Sequence, residues 1–164
     1  MRAEFSHEIS IPLPVDEAFP LFTPKGEELW VPGWAPVYVS PSNGETEEEM
    51  VFMTGSGADL TLWTCLRWQP EIWHVRYQRT TPGSRIAFVD VRCRPDGASV
   101  TGVRVGYAYV PLSEAGRVFI DALSADTHAA TIDSWADKIG NYLHGQPSAF
   151  HTPTHGWSMA STAS

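Results

Sequence analysis

The sequence predicts an α+β fold in which one curved, seven-stranded antiparallel sheet wraps a long C-terminal helix, with two short helices between strands one and two. Three observations predict it. Residues 3–11, "EFSHEISIP" and its flanks, alternate apolar and polar side chains with the period of a half-buried strand. Residues 34–110 are runs rich in Val, Trp, Tyr and Thr, cut by turn chemistry at Asn43-Gly44, "GSGAD", "QPE", "TPGS" and Asp96-Gly97. After "PLSEAG" the apolar period becomes helical. Short connections between neighbouring strands and one long amphipathic helix leave a sheet packed on a helix as the arrangement that buries both apolar faces.

Each element has a local reason. Phe5, His7, Ile9 and Ile11 form the inward side of strand one, which Pro12 or Pro14 ends. Val15, Ala18, Phe19 and Phe22 recur at helical spacing, but Pro20 removes a donor and limits that helix to about two turns. Thr23 is the expected N-cap of the second short helix, with Pro24 in its first position and Pro32-Gly33 as its stop. Phe119, Leu123, Ile132, Trp135, Ile139 and Leu143 make one face of the long helix, bent near 124–128 and stopped by Gly145 and Pro147. The domain is expected over residues 1–145, and residues 146–164, small and polar apart from Phe150 and Trp157, as a flexible tail.

Composition narrows the function. A chain of 164 residues with a net charge of −8 and no basic stripe opposes phosphate backbones, so nucleic acid is not an expected partner. Cys65 and Cys93 lack metal-ligand spacing and lie in strand-like runs, which suits buried thiols in a reducing cytoplasm. No signal peptide and no run of apolar residues long enough to insert in a membrane is expected. The "ETEEE" run beside Asn43-Gly44 reads as a solvated loop, and His151 with His155 lacks a third ligand, so neither a metal nor an organic cofactor is expected. His128 reads as a surface or boundary residue of the helix. The expected assembly is a monomer or homodimer.

The element order, with the phrases "TPKGEELWVPGW", "RYQRTTPGSR" and "PLSEAG", resembles the START/SRPBCC superfamily, the helix-grip fold of pollen-allergen-like proteins, lipid-transfer domains and polyketide cyclases, and in particular a bacterial subgroup of unassigned function. The resemblance covers residues 1–145 and implies an apolar cavity between sheet and long helix. It implies no particular activity, because the fold serves carriers, cyclases and co-chaperones alike.

Turn lengths assign sheet faces. A two-residue turn at Asp96-Gly97 pairs Pro95 with Ala98, and a four-residue turn at "TPGS" closed by Thr81 and Ser84 sets Phe88 opposite Tyr77. The inner wall is then Trp73, Val75, Tyr77, Ile86, Phe88, Val103, Val105 and Tyr107, facing Trp135. The other face carries His74, Arg76, Gln78, Arg85 and Arg104. The preceding strand contributes Leu62, Thr64, Leu66 and Trp68, or Trp63 and Cys65 if a bulge intervenes. The expected ligand-binding set is Trp34, Trp73, Val75, Tyr77, Phe88, Val105, Tyr107 and Trp135, suited to a hydrophobic or aromatic small molecule, lipid or polyketide-like. Asp90 and Arg92 also fall on this wall. There Asp90 could serve as general acid or base, with Tyr77 or Tyr107 donating to a substrate oxygen, in a cyclase- or dehydratase-like enzyme. The competing expectation is that Asp90 pairs with an arginine or that a bulge turns it outward. Trp30 and Trp34 either cover the cavity rim or anchor the short helices to the sheet. A third function, a partner-binding module like a co-chaperone, rests on Phe150 and Trp157 of the tail.

Overall fold

The structure, a computed structural model, describes residues 1–145. The expected tail, with Phe150, His151, His155 and Trp157, lies outside the described residues. Strand β1 (Ala3–Ile11) leads to helix α1 (Val15–Ala18), a 3-10 turn (Phe19–Phe22) and helix α2 (Pro24–Glu27). Strands β2 (Val37–Ser40), β3 (Val51–Thr54), β4 (Thr61–Gln69), β5 (His74–Thr81), β6 (Arg85–Pro95) and β7 (Thr101–Pro111) follow, then helices α3 (Glu114–Asp121) and α4 (Ala125–Leu143). The seven strands form one antiparallel sheet in the order β1-β7-β6-β5-β4-β3-β2.

Local chemistry sets the helix ends. The Thr23 hydroxyl caps α2 by accepting from the Gly26 N–H at 3.0 Å. The expected bend in the long helix is a full break: Ser124 and Thr127 exchange side-chain and backbone hydrogen bonds as a capping box, so α4 starts anew at Ala125. α4 then buries His128, Ile132, Trp135 and Ile139 against the sheet.

The sheet corrects one strand of the expected inner wall. The β5–β6 hairpin has three loop residues, not two, because Thr81 pairs with Arg85 and Gly83 takes φ +78°. The β6–β7 loop spans residues 96–100 and closes with the Asp96 N–H donating to Val100 O at 2.8 Å, so Pro95 pairs with Thr101. Both corrections shift the register by an odd number, and each turns β6 over relative to its neighbour. They cancel between β5 and β7. Val75, Tyr77, Val103, Val105 and Tyr107 therefore face inward as expected, whereas β6 presents Ala87, Val89, Val91 and Cys93 to the core. Ile86, Phe88, Asp90 and Arg92 lie on the convex face.

A bulge between Cys65 and Arg67 reconciles the two readings of β4. Trp63 and Cys65 point inward before it, and Trp68 turns in after it to stack on Phe19 with centroids 5.4 Å apart. Leu62 and Leu66 are exposed.

Candidate functional site

The interior between sheet and α4 is aromatic and mostly filled. Trp135 is buried at ring distances of 6.0 Å from Trp30 and 6.3 Å from Phe22. Trp63 stacks on Phe52 at 5.3 Å and meets Tyr77 edge-on at 6.2 Å. Trp30 donates its indole N–H to Leu21 O and Trp34 donates to Pro24 O, both at 2.8 Å. Of the two expected roles, these bonds match anchoring: both indoles tie the short-helix segment to the core. Tyr77 is spoken for too, its hydroxyl donating to Phe22 O at 3.1 Å. Trp73 caps the β4–β5 turn at φ +53° and donates its indole N–H to Asp16 of α1 at 3.0 Å, half-buried at the edge of the core.

Space remains at the other end of the sheet. A cavity of about 60 Å3 lies between β1, β7 and the start of α4. Phe5, Tyr107 and Tyr109 form its sheet side, and Leu123, Thr127, His128 and Thr131 its helix side. His128 lines it, stacked on Phe5 at 5.9 Å and edge-on to Tyr107 at 5.4 Å. It is buried, deeper than the surface or boundary position expected of it. Its Nε2 lies 3.2 Å from Val105 O, an acceptor, so the proton sits on Nε2 and Nδ1 is the lone-pair nitrogen. Burial pulls the His128 pKa below the usual value, against the opposing effect of that bond to Val105, so the ring is neutral at pH 7. Burial, reinforced by neighbouring Tyr109, holds the Tyr107 hydroxyl protonated well above the usual tyrosine range. The wall thus offers an imidazole nitrogen and phenol groups in apolar surroundings.

Two arginines share the inward side: Arg85, in phase with Ala87 on β6 rather than on the outer face expected of it, has its guanidinium carbon 3.5 Å from the Phe119 ring centre, and Arg79 lies deeper. Arg79, two residues beyond Tyr77 on β5, is buried with its guanidinium carbon 5.3 Å from the Trp63 ring centre. Burial lowers its pKa, an effect opposed by Tyr107 and Tyr109; a guanidinium is basic enough to remain charged. The alternation in "RYQRTT" carries the signal for it, since Arg79 shares the phase of Val75 and Tyr77. His128 likewise shares a face with Ile132, Trp135 and Ile139. Arg79 and Tyr109 are site residues that the reading of the sequence passed over, and His128 is one it placed at the surface or boundary of the helix.

Asp90 is not among these groups. Because β6 is turned over, its carboxylate lies on the convex face, where His74 Nε2 at 2.9 Å, Arg76 at 3.3 Å and Arg92 at 3.0 Å surround it. The sheet separates it from the inward rings of Tyr77 and Tyr107, so the expected catalytic trio is not assembled, and Phe88 leaves the inner wall with it. Burial would raise the Asp90 pKa, but the hydrogen bond and charge of His74, then Arg92, outweigh it and the net shift is downward. A lowered folded-state pKa contributes stability that is complete above the unfolded value near ~4 and fades as pH falls through the folded value. Asp90→Asn is expected to lower stability by about 1–2 kcal/mol at pH 7 and to flatten the loss of stability below about pH 4. Urea unfolding from pH 3 to pH 7 measures both.

Fold and interior define a helix-grip protein, whose sheet and C-terminal helix enclose a side-chain-lined space. Solved structures agree on that architecture. Truncated norcoclaurine synthase from Thalictrum flavum aligns with a TM-score of 0.63 at 12% identity, over 87% of this chain and 94% of that one. Ara h 8.0201 aligns at 0.59 and 13% identity, over 88% and 97%. The Zhui aromatase/cyclase from a Streptomyces species aligns at 0.53 and 12% identity, over 88% and 90%. No family model matches the sequence. No curated protein matches it either. No helix among the described residues is long and apolar enough to cross a membrane, and no group of three or more metal-ligating side chains occurs among them.

Proposed function

We propose that this protein binds a small hydrophobic or aromatic molecule bearing a hydroxyl or carbonyl group, held between the sheet and α4 beside His128. The observation that carries the reading is the hollow itself, apolar on most sides with a neutral imidazole and two tyrosines on its wall. At about 60 Å3 it is smaller than the ~150 Å3 cavity that accepts benzene. A ring therefore needs the lining to give way, and the α3–α4 break, where the capping box at Ser124 starts α4 anew beside Leu123, is the place where the helical wall is discontinuous. The similar folds of a synthase and an aromatase/cyclase support binding of such molecules in general. Reduced, buried Cys65 and Cys93 suit a cytoplasmic setting.

A second reading is favoured by one observation. His128 keeps an unprotonated nitrogen beside the cavity in water-poor surroundings, the requirement for a general base, and Tyr107 can donate to a substrate oxygen. In a cyclase-like reaction His128 would take the place expected of Asp90.

Titration with p-cresol, a ring with one hydroxyl, tests the binding reading. Saturable heat or amide shifts are expected, with Thr131→Phe filling the cavity and weakening binding at least about ten-fold, or about 1.4 kcal/mol. Unchanged affinity in that variant would move the site elsewhere.

A further inference from the structure

The convex face carries a second hollow, separated from the interior by the sheet. It measures about 290 Å3, just under the ~300–1,000 Å3 of small-molecule sites. Two cross-strand rows explain it. Arg76, Asp90, Gly106 and Ser6 lie opposite one another across β5, β6, β7 and β1, and Gln78, Phe88, Ala108 and Glu4 form the next row. Gly106 and Ala108 leave the floor low. A Cβ on Gly106 would meet only the Phe5 carbonyl oxygen, at 3.7 Å, so the backbone does not demand glycine there and the missing side chain leaves open space.

The walls are cationic. Phe88 holds two guanidinium groups in place, with Arg2 and Arg76 centred 5.5 and 5.4 Å from its ring. Arg104 lies directly opposite Arg92 on β6, a like-charge pairing, and opposite Glu8 on β1, whose carboxylate is held by Arg94. Arg2 pairs with Glu4, while Arg76 and Arg92 share Asp90. Arg104 has no ion pair among the described residues. Among the groove's lining residues, Arg2, Arg76 and Arg104 against Glu4 and Asp90 leave one positive charge, in a chain whose net charge is −8.

We propose that this groove binds the oxyanion group, phosphate or carboxylate, of a small molecule, seated over Gly106 and Ala108 between Arg76 and Arg104. An oxyanion there accepts hydrogen bonds from guanidinium donors. The proposal is independent of the interior cavity.

Phenyl phosphate titrated into the isotope-labelled chain tests it, with inorganic phosphate and benzoate as comparison arms. Amide shifts at Ser6, Phe88, Gly106 and Ala108 are expected to saturate together and to weaken as salt rises. Arg104→Ala should raise the dissociation constant about five-fold or more. Gly106→Leu should abolish the response while amide signals of the core residues Val89 and Val103 stay in place, and Thr131→Phe should leave it unchanged. Shifts spread equally to Arg67 and Arg94, outside the groove, or wild-type affinity in Gly106→Leu, would overturn the proposal.

Discussion

Trp135→Ala is expected to lower unfolding stability by about 3–5 kcal/mol, the range for truncating a buried aromatic. Trp135 is 1% exposed and its ring joins Trp30 of the short-helix segment to Phe22 and α4, so its loss removes contacts from two layers at once. Its indole nitrogen has no hydrogen-bond partner among the described residues. Trp135→Phe should therefore recover most of the loss, because phenylalanine restores ring contacts and removes a buried N–H that nothing satisfies. Indole should re-enter the hole left by alanine and raise stability by about 2.7 kcal/mol at one hundred times its Kd. Thermal and urea unfolding of the three forms measures this. A loss under about 1 kcal/mol in Trp135→Ala would mean that α4 is not held through this ring.

Gly116→Ala is expected to destabilise by about 3 kcal/mol, lowering Tm by roughly 6–12 °C. A Cβ there would sit 1.7 Å from the Ser84 carbonyl oxygen, which is backbone and cannot rotate away. The same hairpin tip is clasped by the Leu112 N–H donating to Ser84 O at 2.7 Å and by the Ser113 hydroxyl donating to Gly83 O at 2.6 Å. Relieving the clash means lifting α3 from the sheet and breaking that clasp. Gly140 in α4 is the control: nothing lies within 4 Å of its would-be Cβ, so Gly140→Ala should stabilise by about 0.5–1 kcal/mol.

Element order was readable because it depends on local chemistry. The alternation of Phe5, His7, Ile9 and Ile11, the Thr23-Pro24 start of α2 and the helical face of Ile132, Trp135 and Ile139 all appear where expected. Strand faces were harder, because a face depends on loop length to the residue. "TPGS" closes as a three-residue loop and 96–100 as a five-residue one, and a shift of one or three residues inverts Phe88 and Asp90 together. The misplacement of the catalytic candidate is a consequence of that geometry. His128 was underrated for another reason: a lone histidine on a helix carries no sign of burial until the partner strand, here through Val105 O, supplies its hydrogen bond. The convex groove was hidden in the same way, since the row Arg76, Asp90, Gly106 and Ser6 exists only once four strands are in register.

The small hollow at the α3–α4 break is what the functional account rests on. Isotope-filtered nuclear Overhauser spectra of labelled protein with unlabelled p-cresol locate the probe directly. The account predicts cross-peaks from its ring protons to the methyl groups of Leu123, Thr131 and Ile132 and to the His128 ring. Cross-peaks confined to exposed side chains such as Val37 and Val39, with none to α4, would contradict it.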